Sequence, residues 1–179
     1  MPLPLPAEPG ADDGSSQPLN ELRALRSALG CYPTGVTVVA TQSQDGLVHC
    51  MTVNSFASLS LEPPLILWSL RAHSARFDTF VKCELFSVNV LSESQIDLAR
   101  RHATPANSAA NAGEWNTFLS GCPVVNGAVV QFVCRPDHHV HRGDHAIQIG
   151  KVITFAEFDH KPLLFMRGGY FAGSRQDAL

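Results

Sequence analysis

Short runs of β-branched and aromatic residues, separated by turn residues, make up most of this chain and limit the folds open to it. The runs cover Gly35 to Thr41, His49 to Leu61, Pro63 to Leu70, Leu85 to Leu91, Ala128 to Arg135, His145 to Phe158 and Pro162 to Arg167. Runs of this length and composition, bounded by Gly, Pro or Asp, are typical of β-strands. About seven strands with few helices between them predict a closed or nearly closed antiparallel barrel.

The segment "LNELRALRSALG" at the start of the patterned region predicts a short helix. Leu22, Leu25 and Leu29 stand at i, i+3 and i+7, and Gly30 supplies a stop signal. We expect the leucine face to lie against the core.

Two further helices interrupt the strands. In "LSESQIDLARRHA", Ser92 and Gln95 have capping-box spacing, and the flanking Leu and Ile have the spacing of a hydrophobic staple. In "HSARFDTFVKC", Ser74 is the expected N-cap of a helix with an apolar stripe. Residues 103–126 are rich in Ala, Asn, Gly and Ser, and predict a long excursion with one helical turn around Trp115.

Length and charge restrict the class of protein. The 179 residues are enough for one domain, which we expect at residues 19–179 after a disordered lead at residues 1–18. That lead has no basic segment and its apolar residues are interrupted by prolines, which is unlike a signal peptide.

A net charge of -3 gives no electrostatic reason to bind nucleic acid or an anionic membrane. Five cysteines without a C-x-x-C pair predict reduced thiols and a cytoplasmic location.

The segment "HHVHRGDH" holds four of the eight histidines and allows two interpretations. His139 and His141 have the spacing of a metal-binding pair on a strand. The alternative is a solvated turn between two strands, which we favour, with no metal bound. His145 differs from the others because it follows "RGD" and opens the alternating run "HAIQIGKV", which places it at the mouth of a strand where a ligand can bind.

The stretch "MTVNSFASLSL" mixes short polar side chains with apolar ones and fits a simple buried strand poorly. One interpretation is a bulged edge strand. The other is a wall of backbone and hydroxyl groups that binds the polar edge of a flat heterocycle such as a flavin. About twenty residues later, "LRAHSARF" brings basic residues and a Ser to the start of a predicted helix, a pattern suited to phosphate. Together the two stretches match both ends of a flavin nucleotide, one the ring and the other the phosphate.

Several segments together resemble the flavin reductase family with the FMN-binding split-barrel fold. They are "ALGCYPTGVTVVAT", "MTVNSFASLSLEPPLIL", "FSVNVLSESQIDLARRHA", "GDHAIQIGKV" and "PLLFMRGGY", in the family's order, over Leu22 to Tyr170. The resemblance implies a mainly β, Greek-key split β-barrel with a few short flanking helices. It also implies a homodimer that binds FMN or FAD, takes hydride from NADH or NADPH, and passes reduced flavin to a partner monooxygenase.

The resemblance also implies a set of site residues. His145 would face the nicotinamide, and Ser55 would hydrogen-bond near the reacting atom of the flavin. Since hydride transfer between stacked rings needs no dedicated acid or base, positioning would do most of the catalysis. The implied cofactor-binding residues are Pro33, Thr34, Gly35, Val36, Thr52, Val53, Asn54, Ser55, Ser58, Arg71, His73, Ser74, Arg76 and Tyr170.

Three hypotheses about function stay open at this point. The first is a reductase that uses free flavin as substrate, and the second is a flavoprotein that keeps FMN tightly bound and reduces another acceptor. The third is a barrel that binds flavin without catalysis.

Overall fold

The computed structural model describes residues 17–104, 113–117 and 121–173 of the chain. Its strands are β1 (Thr34–Gly35), β2 (Thr37–Gln42), β3 (Val48–Val53), β4 (Ala57–Leu61), β5 (Pro64–Arg71), β6 (Phe86–Val90), β7 (Trp115–Thr117), β8 (Pro123–Val125), β9 (Val130–Arg142), β10 (His145–Glu157), β11 (Leu163–Met166) and β12 (Gly169–Ala172). Its α-helices are α1 (Gln17–Leu29), α2 (Phe77–Lys82) and α3 (Ile96–His102), the last preceded by a turn of 3-10 helix at Glu93–Gln95. The expected lead at residues 1–18 lies almost wholly outside the described residues.

Seven strands form one antiparallel sheet in the order β3-β2-β6-β9-β10-β5-β4. Its two edge strands, β3 and β4, follow each other in the chain and are joined by residues 54–56 alone. Such a short connection can span only about 14 Å, so the two edges of the sheet come close together at that point. The sheet is therefore curled into a barrel that stays open between β3 and β4, which confirms the predicted split β-barrel.

The core is divided between the two faces of β2. On one face, Val39 packs with residues from β5, β6 and β9, among them the fully buried Trp68 and Phe86. On the other face, Val38 and Ala40 pack with residues of α3 and β11. Because β2 is covered on both faces, five consecutive residues of this strand are buried instead of every second one.

Two smaller sheets flank the barrel. One is three-stranded, in the order β1-β11-β12, and the other is the β7-β8 hairpin. The predicted helical turn around Trp115 is wrong, because Trp115 pairs with Val125 across this hairpin. Parts of the predicted excursion, at residues 105–112 and 118–120, lie outside the described residues.

Helix α1 is confirmed, but its expected packing against the core is wrong. Leu19, Leu22, Leu25 and Leu29 are each 55 to 67% exposed. Arg167 donates its amide proton to the Gly30 carbonyl at 2.7 Å and so ties the end of the helix to the rest of the fold. The single chain therefore carries an exposed leucine stripe on α1.

The other two helices differ in how well their ends were predicted. The capping box is confirmed, with the Ser92 amide donating to Oε1 of Gln95 at 2.9 Å. The predicted N-cap at Ser74 is wrong, because α2 begins only at Phe77. Ser74 instead accepts a hydrogen bond from the Arg76 amide at 3.2 Å, within the loop before the helix.

The histidine-rich segment is part of a strand rather than a turn. Strand β9 continues to Arg142, so His138, His139 and His141 pair with residues of β10, and all three are exposed. The turn itself contains only Gly143 and Asp144. Within the described part of the chain, no helix combines the length and apolar character needed to cross a bilayer.

Candidate functional site

A cleft of about 830 Å³ opens where the barrel is split. Its walls come from the end of β3, the β3-β4 connection, the end of β5 with the loop after it, the end of α3 and the start of β10. The lining residues are Met51, Thr52, Val53, Asn54, Ser55, Ser69, Arg71, His73, Ser74, Ala75, Arg76, His102, Ala103 and His145.

The pairing of β5 with β10 brings two of these walls together. His145 pairs with Arg71, so the last residue of β5 and the first residue of β10 lie side by side. The Ala72 amide donates a hydrogen bond to the Asp144 carbonyl at 2.9 Å, which ties the loop after β5 to the β9-β10 turn. The position of one end of the cleft is thus fixed by the pairing of β5 with β10 and by the β9-β10 turn.

The β9-β10 turn presents His145. Gly143 has φ +58°, and Gly at the first central position suits a two-residue hairpin turn. Nδ1 of His145 lies 2.8 Å from Oδ1 of Asp144. The hydrogen bond from His145 is the largest effect that lowers the pKa of Asp144, and the electrostatic interaction with the same residue lowers it further. This contact orients the imidazole at the cleft.

The polar wall is formed by an edge strand and the connection that follows it. Within the described residues β3 pairs with β2 alone, so alternate backbone groups on its outer side have no sheet partner there. The Thr52 hydroxyl donates to the Ala99 carbonyl at 2.7 Å, which fastens α3 to β3. Ser55 Oγ accepts a hydrogen bond from the Ser69 amide at 2.9 Å. Both hydroxyls therefore shape the wall as well as lining it.

The end of β5 and the loop after it supply positive charge. Arg71 and His73 are exposed, and Ser74 and Arg76 are half-buried. Since α2 has only six residues and begins after this loop, the positive charge at this wall comes from side chains rather than from the helix end. Guanidinium groups match the geometry and charge of phosphate oxygens.

A buried histidine lines the cleft and contacts a buried cysteine. His102 lies at the end of α3, and its Nδ1 is 3.3 Å from the Sγ atom of Cys50. Burial, reinforced by the charge of Arg101, lowers the pKa of His102. Burial raises the pKa of Cys50 to about 11. Both side chains are therefore neutral at neutral pH.

The cleft gathers nine of the predicted site residues and leaves out six. The six outside are Pro33, Thr34, Gly35, Val36, Ser58 and Tyr170. Val36 is in the core, and its amide and carbonyl are both used in backbone hydrogen bonds, so the expectation that it lines a cofactor conflicts with its position. Ser58 lies exposed on β4. Thr34, Gly35 and Tyr170 belong to the three-stranded sheet, where the Tyr170 ring packs against Phe165.

Five cleft residues were not predicted: Met51, Ser69, Ala75, His102 and Ala103. Ser69 stands two residues before Arg71 on β5, so the two side chains lie on the same face of the strand. This alternation indicates that Ser69 lines the cleft together with Arg71. His102 stands three and four residues after the buried Ala99 and Leu98, which is the spacing of a single helix face. That spacing could have placed the histidine on the buried side of α3.

The donor set suits an organic ligand with a polar edge and a phosphate. Among the residues that the structure describes, no group of three or more His, Cys, Asp or Glu side chains is placed to hold a metal ion. The cleft volume falls within the usual range for small-molecule and cofactor sites. Hydroxyl, amide and backbone groups line one side, and two arginines line another.

Residues 29–174 match the family model of the flavin reductase like domain. The chain belongs to the flavin reductase family. The match takes in every residue of the cleft.

Two curated relatives illustrate the similarity. The FMN reductase (NADH) SmoA of Agrobacterium fabrum is 41% identical over 154 residues, which are 86% of this chain and 87% of that protein. The reductase component of the flavin-dependent trigonelline monooxygenase of Acinetobacter baylyi is 37% identical over 157 residues, which are 88% of this chain and 51% of that protein. The chain spans about half the length of two such relatives, the Acinetobacter baylyi protein and a Rhizobium meliloti protein that is 38% identical and of which the chain covers 48%.

A solved structure shows the same fold. The NADH:FAD oxidoreductase SgcE6 of Streptomyces globisporus, in complex with NAD and FAD fragments, superimposes with a TM-score of 0.79 at 31% identity. The match covers 89% of this chain and 94% of that one.

Proposed function

We propose that this protein is an NAD(P)H-dependent flavin reductase that uses the cleft at the barrel split. The observation that carries the proposal is the placement of a polar wall, two arginines and an oriented imidazole around one opening. FMN and FAD both present a polar ring edge and a phosphate, which match the wall and the arginines. The names of SmoA and SgcE6 include flavin and NADH, and so support the same assignment.

The cleft residues then have separate roles. The outer backbone of β3 with Asn54 and Ser55 holds the ring edge, while Arg71 and Arg76, with His73 and Ser74, hold the phosphate. A flavin bound there supplies the hydride-accepting ring. His145 orients the nicotinamide of NADH or NADPH, so that catalysis depends on positioning.

A partner monooxygenase that receives reduced flavin is part of the proposal. The relative from Acinetobacter baylyi is the reductase component of a flavin-dependent monooxygenase, and related reductase subunits carry similar names. An open cleft that binds flavin reversibly would let the reduced product leave. A cytoplasmic setting fits the five free thiols of the chain.

A homodimer is also proposed, with the leucine stripe of α1 buried between two copies. Four leucines more than half exposed on one helix form a larger apolar surface than a monomer usually leaves in water. Ile153 and Phe155 on β10 are exposed as well, at 50% and 63%. A second copy of this chain would cover these residues with equivalent surfaces.

One assay tests the proposed activity and separates the alternatives. The purified protein receives NADH or NADPH in turn with excess free FMN or FAD, and the absorbance of the reduced nicotinamide is followed. We expect turnover whose rate rises with added free flavin. Turnover independent of added flavin would identify a tightly bound prosthetic group instead, and flavin binding without turnover in any combination would overturn the reductase assignment.

A further inference from the structure

The histidine-rich part of β9 brings two imidazoles to one side of a strand. His139 and His141 stand two residues apart, so their side chains point to the same face, whereas that of His138 points to the opposite face. All three side chains are exposed. Because the segment is a strand and not a turn, the backbone provides the arrangement that a metal-binding pair with this spacing requires. The strand thus favours the metal-binding interpretation of this spacing over that of a solvated turn.

The two rings have the separation expected of imidazoles that share one ion. Their centroids are 5.6 Å apart, and their planes are nearly perpendicular, at 82°. An imidazole nitrogen binds zinc at about 2.0 to 2.1 Å, which puts the ring centroid roughly 3.2 Å from the ion. Two such rings at a tetrahedral angle have centroids roughly 5.2 Å apart. The observed separation is close to this value, so small rotations of the exposed side chains can direct one nitrogen of each ring at a common point.

Neighbouring groups restrain the pair without occupying its nitrogens. The Phe77 ring at the start of α2 packs against the His141 ring, with centroids 5.3 Å apart and planes tilted by 37°. In the part of the chain that the structure describes, neither imidazole of the pair has a hydrogen-bond or ion-pair partner. Arg142 donates to the backbone carbonyl of His141 and not to its ring. The ring nitrogens are therefore available to an ion from solvent.

We propose that His139 and His141 form a binding site for a divalent transition-metal ion, with water in its remaining coordination positions. Imidazole suits Zn²⁺, Ni²⁺ and Cu²⁺, whereas Mg²⁺ and Ca²⁺ require oxygen ligands. Since no third His, Cys, Asp or Glu side chain of the described residues joins the pair, water completes the coordination. Neither histidine lines the cleft, so the metal site is separate from the flavin site and does not depend on the proposed function.

Removal of either imidazole should weaken the site sharply, because the second imidazole binds an ion that the first already holds nearby. The probe is Ni²⁺ in equilibrium dialysis, with Cys31→Ser as the parent protein so that the exposed Cys31 thiol does not compete. His139→Ala and His141→Phe should each weaken Ni²⁺ binding by about tenfold or more. The second variant keeps a ring against Phe77, so its loss of affinity does not come from lost packing.

His138→Ala is the matched control, because it removes an exposed imidazole from the same strand but from the opposite face. Its Ni²⁺ affinity should stay within about twofold of that of the parent protein, since the pair is intact. Equal weakening in His138→Ala and His139→Ala would show nonspecific binding to the histidine-rich segment and overturn the paired site. A parent protein that binds no Ni²⁺, or full affinity in either variant of the pair, would also overturn it.

Zinc provides a residue-by-residue test in the wild-type protein, which needs no variant to fold. In protein labelled with ¹⁵N-histidine, Zn²⁺ should shift the ring nitrogen signals of His139 and His141 and leave those of His138 in place. Mg²⁺ at the same concentration should shift none of them, since it prefers oxygen ligands. Zinc shifts confined to other histidines, or equal shifts with Mg²⁺, would contradict the assignment of the pair.

A flavin titration separates this inference from the reductase assignment. Saturating riboflavin, which has no phosphate to bind the metal, should leave the Ni²⁺ affinity of the protein unchanged. Ni²⁺ binding that riboflavin abolishes would place the ion in the cleft and overturn the proposed pair. Failure of the protein to reduce flavin would overturn the proposed function and leave the metal site intact.

Discussion

Nδ1 of His145 and Oδ1 of Asp144 are 2.8 Å apart, although the two residues are adjacent in the chain. A neutral imidazole donates its Nδ1 proton to the carboxylate and keeps Nε2 as an acceptor. The His145 side chain is 39% exposed and that of Asp144 is 82% exposed, so the pair adds little to stability. Its main effect is to orient the ring at the mouth of the cleft.

Replacement of His145 by Ala should impair use of the nicotinamide more than binding of flavin. We expect KM for NADH or NADPH to rise about tenfold, and the dissociation constant of FMN to stay within about twofold, since a contact with one ligand is lost. Asp144→Asn keeps an oxygen that can accept from Nδ1 and should have a smaller effect than Asp144→Ala. Steady-state kinetics with fluorescence titration measure these quantities, and equal loss of both affinities would contradict the assignment.

Arg71→Ala should weaken FMN binding by about tenfold and leave riboflavin binding unchanged, because a charge-assisted contact with the phosphate is lost. Arg142→Ala is the matched control. Arg71 and Arg142 are both exposed and both pair with His145, one on each side, but only Arg71 lines the cleft. Fluorescence titration of the two variants with FMN and riboflavin tests this, and similar FMN affinities would show that Arg71 does not contact the phosphate.

The barrel and much of the cleft could be predicted because their signals are local. Strand period and turn residues indicate the strands, and the mixed polar pattern from Thr52 to Ser55 marks the edge strand at the split. Tyr170 lies outside the cleft because its location depends on the pairing of β11 with β12, which no local pattern specifies. His102 belongs to no local motif, and only its helical spacing from the buried Leu98 and Ala99 indicates that it faces inward.

The packing of α1 shows a different limit of sequence analysis. The leucine period correctly predicts an amphipathic helix, but it does not say which surface covers the apolar face. In the single chain that the structure describes, the leucine stripe is exposed.

Polar replacements in this stripe should dissociate the proposed dimer. We expect Leu22→Ser combined with Leu25→Ser to give a monomer, because serine side chains gain nothing from burial between two copies. Leu47→Ser is a control, since Leu47 is similarly exposed but lies between β2 and β3. Sedimentation equilibrium measures the mass in solution. A wild-type monomer, or a dimer that survives both serine replacements, would contradict the proposed interface.

The five cysteines should differ sharply in reactivity toward a thiol reagent. Cys31 is exposed, whereas Cys50, Cys122 and Cys134 are buried. Burial raises the pKa of Cys50 to about 11 and those of Cys122 and Cys134 to about 12. Because a raised pKa keeps the thiol protonated to higher pH, raising the pH from about 7 to about 9 should leave these three thiols unreactive in the folded protein. The exposed Cys31 should react fast and give a rapid phase in the time course of thiol modification. Cys31→Ser should remove this rapid phase.

Alkaline pH should therefore lower the stability of the fold. In the unfolded chain the same three thiols ionise near their ordinary pKa of 9.0, while the folded state holds their protons to about 11 or 12. Between these values the unfolded state binds fewer protons, so the free energy of unfolding falls as the pH rises. We expect the thermal unfolding midpoint to decrease progressively from about pH 9 to pH 11, and Cys134→Ala to lessen the decrease by removing one of the three groups. Midpoints measured by circular dichroism at closely spaced pH values test this. An identical decrease in the wild-type protein and Cys134→Ala would show that ionisation of this buried thiol does not contribute.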